Sequence, residues 1–140
     1  MPTASFNKFN ALAQDLGDGE HDWGADTLKL ALTNTLPDAA DANWNLTDHP
    51  APAADNGYTA GGNALTGVTW SSATLDATGG FVTTASGGQL GPFRYVVLYN
   101  SSSTSPANAA IGWYDYGSSI TLEDTETFTA SIPTNLVTIT

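Results

Sequence analysis

The chain has 140 residues, 14 Asp or Glu against 3 Lys or Arg, and no cysteine. That length is one ordinary domain, and the missing cysteines exclude disulfides, thiolate metal sites and thiol nucleophiles. A net charge of -11 repels a phosphate backbone and no run of ~18 apolar residues is present, so neither nucleic acid nor a membrane is expected as a partner.

Residues 1–10 also lack the basic stretch and long apolar run of a secretory signal. Leu, Ile, Val and Phe number 27 of 140, which together with the high charge approaches the composition of disordered chains. Nine Trp and Tyr, and the patterning of the apolar residues, argue instead for an ordered domain with a thin core.

Ser5 reads as a helix cap, with Phe6, Phe9, Ala13 and Leu16 at three- and four-residue spacing, Leu12 beside them and Gly17 as the stop. This predicts an amphipathic helix of about eleven residues, too short to stand alone. Its phenylalanines serve either as a lid on a sheet or as an arm that docks on a neighbouring subunit. A charged loop, residues 18–22, leads to Thr27–Asn34, where Leu28, Leu30 and Leu32 alternate with Lys29, Ala31 and Thr33; this is a half-buried strand. Residues 37–56, rich in Ala, Asp, Asn and Pro, read as a long loop with room for a short helix at 38–44, pinned by Trp44 and Leu46.

From Tyr58 onward the chain reads as sheet. Strands are predicted at 64–70, 73–76, 81–84, 92–99, 110–116, 125–132 and 136–140. They are separated by Gly61-Gly62, Gly79-Gly80, Gly87-Gly88, Ser101 to Pro106 and Glu123-Asp124. Phe93 to Tyr99 is bulky on both faces, as in a central strand buried on both sides. Trp113 beside Gly112 suggests a ring tucked against bare backbone. The fold class expected is all-β: an antiparallel sandwich or jelly-roll-like barrel with one short N-terminal helix. Residues 1–140 read as one domain, with a helix-plus-acidic-loop region at 5–26 and a long loop at 35–57. Nine of the 14 acidic residues precede Asn56, which marks an acidic, loop-rich face or end.

Residues suited to chemistry are scarce. Asp18, Glu20 and Asp22 alternate as in a calcium loop, but Trp23 and Lys29 stand where such a loop needs glycine and a bidentate glutamate. His21 and His49 lack metal-ligand spacing, and Gly117-Ser118-Ser119 lacks the geometry of a nucleophile elbow. No catalytic residue, metal ligand or cofactor is therefore assigned. Asn45-Leu46-Thr47 and Asn100-Ser101-Ser102 match the glycosylation triplet, a pattern common by chance. Trp23, Trp44, Tyr58 and Trp70 fall near loops, where rings fill the core, anchor a protein interface or stack on sugars. The interface candidates are Phe6, Phe9, Leu12, Trp23, Trp44 and Tyr58.

Several stretches resemble a family of small virion structural proteins of tailed bacteriophages. They are Asp26 to Asn34, Gly57 to Gly62, Gly91 to Asn100, Ile111 to Ser119 and Thr125 to Thr140. The resemblance implies a non-enzymatic, β-rich protein repeated on a particle. It would be a capsid decoration or cement protein on the outer surface of the head, made in the host cytoplasm. Its implied partners are the major capsid protein and copies of itself, with a trimer as the suggested assembly. A tail or neck component and a carbohydrate-binding module on the virion surface are the other readings.

Overall fold

The computed structural model describes residues 5–130 and 137–138. In chain order the elements are β1 (Ser5–Lys8), α1 (Ala11–Asp18), β2 (Leu28–Thr33), β3 (Ala54–Asp55), β4 (Asn63–Ala64) and β5 (Thr69–Ser71). They continue as β6 (Thr74–Asp76), β7 (Phe81–Thr84), β8 (Leu90–Thr104), β9 (Ala107–Leu122), β10 (Thr127–Ala130) and β11 (Val137–Thr138). The fold is all-β with one short helix, and the strand pairings are antiparallel, as the alternation of side chains predicts.

The frame is a six-stranded sheet in the order β1-β9-β8-β2-β4, with β3 also paired to β8. Its centre is the long hairpin β8–β9. Against β8, the register sets Leu28, Leu30 and Leu32 opposite Asn100, Leu98 and Val96 on one face. It sets Lys29, Ala31 and Thr33 opposite Tyr99, Val97 and Tyr95 on the other. One face is therefore aliphatic and the other aromatic, because side chains alternate along a strand. A register shift between Leu98 and Tyr99 leaves Ile111 as the extra residue of a bulge, since Gly112 faces Leu98 while Ala110 faces Tyr99.

The leucine face is covered by Leu12 and Leu16 of α1, by Trp23, and by two small sheets, β7–β10 and β5–β6–β11. Leu75, Phe128 and Ala130 bring those sheets into the core. The aromatic face, with Phe9, Tyr95, Val97, Ala110 and Trp113, is covered by Ala39 and Trp44 from residues 34–53, here called the strap. Phe93 to Tyr99 is thus covered on both sides, as its bulk suggests.

Several local expectations are corrected. The helix begins at Ala11, and Phe6 lies on β1 opposite Tyr114. Asn10, rather than Ser5, stands at its start, and Gly19, left-handed at φ 80°, ends it in place of Gly17. Residues 38–44 form no helix, and 64–70 is split between β4 and β5. The turn expected over Ser101 to Pro106 shrinks to its end, because β8 runs on to Thr104. The bare backbone at Gly112 receives Phe6 rather than Trp113. A Cβ there would clash with the Phe6 ring and, at 2.6 Å, with the Asn7 carbonyl oxygen of β1, so glycine lets β1 close onto β9. Residues 131–132 of the strand expected at 125–132, and 136 and 139–140 of the one expected at 136–140, lie outside the described residues.

The outer edge of β2 is closed partly by β4 and partly by a side chain. The Leu32 N–H donates to the Tyr58 hydroxyl at 2.8 Å, where a further strand would otherwise pair. Tyr99 donates to the Gly61 carbonyl at 2.6 Å, holding the same turn from the aromatic face. Burial pushes both phenols up to about 12.

Candidate functional site

The six interface candidates lie within the packing of the chain. Phe9, Leu12, Trp23 and Tyr58 are buried, and Phe6 and Trp44 are half-buried. Phe6 packs on Tyr114 with ring centres 5.1 Å apart, and Phe9 packs on Trp113 at 4.7 Å. Trp23 meets Trp70 edge-on at 4.9 Å, and Trp44 stacks on Tyr99 at 4.7 Å with the planes 11° apart. Each fully buried ring of this size contributes roughly 1.5–3 kcal/mol to folding, and a partner could use it only by unpacking it. The large apolar side chains that face solvent, among the described residues, are Leu36 (64% exposed), Leu46 (52%), Val82 (52%) and Trp70 (38%). Leu46 therefore does not pin the strap; Trp44 does. Only Trp70 of these four is signalled by residue type, because a leucine in a loop without alternation carries no sign of its direction.

Two polar sites fasten loops to the sheet. The first lies at the turn end of the β8–β9 hairpin, against the acidic loop. Asn100 is fully buried; its amide nitrogen donates to Asp26 Oδ2 at 2.5 Å and to the Glu20 carbonyl at 3.3 Å, and lies 3.1 Å from His21 Nδ1. Its amide oxygen accepts from the Ser102 N–H at 2.9 Å. Asp26 Oδ2 also accepts from the Asp22 N–H, so one carboxylate closes its own loop and ties it to β8. Glu20 reaches further along the hairpin to the Ser105 N–H at 3.0 Å. His21 Nε2 is buried without a hydrogen-bond partner. Burial holds the His21 pKa below its ordinary value, against Asp26 and Glu20, which raise it. Asn100 is the organising residue here. Its only sequence signal is an amide at the end of an apolar run, and its burial removes it as a glycosylation acceptor in the folded chain.

The second site lies in the strap. His49 is fully buried, edge-on to Phe9 with ring centres 6.0 Å apart. Its Nε2 is 3.2 Å from Asp41 Oδ2 but poorly aligned for a hydrogen bond, so the contact is chiefly electrostatic; Nδ1 is buried and unpartnered. Burial lowers the pKa of His49, opposed by Asp41 and Asp48. The residues ahead of it form a tight turn. Asn45 Oδ1 accepts from the N–H groups of Thr47 and Asp48, each at 2.9 Å, and the Asn45 carbonyl accepts from the His49 N–H at 3.0 Å.

The two histidines thus serve different places, His21 against Asn100 and Trp23, His49 against Phe9 and Asp41. Among the described residues, no group of three or more His, Asp or Glu is placed to hold a metal ion. Of the three basic side chains, Arg94 is held by both oxygens of Asp115, at 2.8 and 3.1 Å. The outward charge is therefore almost wholly negative, suited to a partner surface of the opposite sign. No protein-family model, curated protein or solved structure matches the chain.

Proposed function

We propose that the chain is a non-enzymatic structural component of a tailed-bacteriophage virion, most specifically a decoration protein binding across major capsid protein subunits on the outside of the head. The observation that carries this reading is that the chain itself covers both faces of its central sheet. Its large rings are mostly inside, and what remains outward is an acidic surface with a few exposed apolar side chains. Such a body acts by shape and charge on a neighbour. The family resemblance over Gly91 to Asn100 and Ile111 to Ser119, the hairpin that builds the sheet, supports the same reading.

A cement protein works by burying surface on two shell subunits at once. Each contact can be weak, because repetition over the lattice multiplies it. Negative charge steers the protein to basic patches on the shell, and this attraction weakens with salt. Copies of the chain are expected to meet on the shell, in a trimer at three-fold positions. In solution, their like charges oppose that assembly. Trp23 and Tyr58 are buried and Trp44 has one face stacked on Tyr99, which leaves Trp70 as the exposed ring of the four and disfavours the sugar-binding reading, since it needs open ring faces.

The test compares purified particles with and without this protein, under heat and at low ionic strength. Earlier DNA release from particles lacking it is expected. Release at the same point in both overturns the cement role, and labelling confined to the tail assigns the protein there instead.

A further inference from the structure

We propose that residues 38–49 of the strap are an acid-released cover over the aromatic face of the six-stranded sheet, opened by protonation of His49. The geometry of the ring is the reason. A neutral imidazole carries one N–H, which can face Asp41 from Nε2 and leave Nδ1 as a bare acceptor. The cation carries N–H on both nitrogens. Its second N–H, at Nδ1, would point into packed interior with no acceptor. The charged groups acting on the ring are Asp41 and Asp48, both on the cover itself, and from the linker beneath it comes the Phe9 ring. The two carboxylates favour the cation, yet burial outweighs them and the neutral form is preferred while the cover is closed.

The cover is lightly held. Its backbone joins the sheet at Ala110 N–H to the Ala42 carbonyl (3.1 Å) and Trp44 N–H to the Asn108 carbonyl (2.8 Å). The linker after β1 adds Asn10 N–H to the Ala39 carbonyl (2.8 Å). Packing completes the attachment: Trp44 stacks on Tyr99, His49 meets Phe9 edge-on and Ala39 joins the aromatic cluster. Segments of this kind open locally at much lower free energy than the whole fold. Each pKa unit between the open and closed ring biases that opening tenfold. The sign follows from the lowered value. The bias toward the closed form is full above 6.5, the ordinary histidine value, and is lost as pH falls through the lower value of the closed ring. Opening uncovers Phe9, Tyr99 and Trp113, an apolar surface then free to bind.

Hydrogen exchange on the full chain at pH 7 and pH 5, corrected for intrinsic exchange rates, tests the cover. Peptides spanning 38–49 are expected to lose at least tenfold more protection at pH 5 than peptides from β8. His49→Gln should make the exchange of 38–49 independent of pH. Asp41→Asn removes a group that stabilises the cation inside the closed cover, so it should enlarge the acid response of 38–49, and it carries the test if His49→Gln does not fold. Equal protection at both pH values overturns the proposal. So does a wild-type acid response in folded His49→Gln, or an acid response in Asp41→Asn no larger than that of the wild type. The outcome is independent of where the protein resides on a particle.

Discussion

The leucine face of the six-stranded sheet is roofed by regular elements, α1 and the two small sheets, whereas the aromatic face is roofed by residues 34–53, which contain no helix or strand. The regular roof pairs most of its own backbone and contributes aliphatic side chains. The irregular roof must satisfy its backbone piecemeal, through the bonds at Ala39, Ala42 and Trp44 and the turn at Asn45. Rings suit that task, because a Trp or Tyr delivers large contact area from few rotatable bonds. The difference teaches that one sheet can carry a cooperative core on one side and a locally detachable layer on the other.

The sharpest way to break this contrast is to cut one side chain from the leucine core and one from the strap over the aromatic face. Leu98→Ala, on the leucine face, is expected to cost about 3 kcal/mol of global stability by denaturant unfolding, through lost transfer energy and a residual cavity. Trp44→Ala is expected to cost about 2 kcal/mol, with the loss visible chiefly as faster hydrogen exchange in residues 38–49. A Trp44→Ala effect spread evenly over both faces would remove the distinction. Gly112→Ala should cost about 1.5 kcal/mol by displacing the Phe6 ring, and should loosen β1 before anything on β2.

The smallest effect should come from Asp15, a buried carboxyl on α1 with one oxygen unpartnered. Burial raises its pKa, helped by the neighbouring charges of Glu20 and Asp18. A raised carboxyl favours the fold at low pH, and that contribution is lost as pH rises through the folded value. Asp15→Asn should therefore stabilise the protein at neutral pH and remove this dependence, measured as thermal midpoints at pH 4 and pH 7.

The same contrast explains what could be read from the residues. β2 and the β8–β9 hairpin are legible because Leu28, Leu30, Leu32 and Phe93 to Tyr99 alternate over lengths that only a strand satisfies. Phe6 and Phe9 mislead because three-residue spacing fits one helical face, while β1, only four residues long, is too short to show its own period. The strap is illegible for a deeper reason. Its closure depends on where Trp44 and His49 land against Tyr99 and Phe9, partners more than 35 residues away in sequence, and local pattern carries no record of such meetings. Of the candidate interface rings, residue type announced their size but not which side of the surface they would occupy.

The position of β1 has a consequence for how the chain is made. Its partner residues, Gly112 to Asp115, leave the ribosome more than 100 residues after Ser5 to Lys8. β8 and β9 are adjacent in sequence and need only each other to begin pairing, whereas β1 must stay unpaired until nearly all of the chain has been synthesised. A strand translated so long before its partner is thus fitted late, and Phe6 and Phe9 remain available to chaperones until it is.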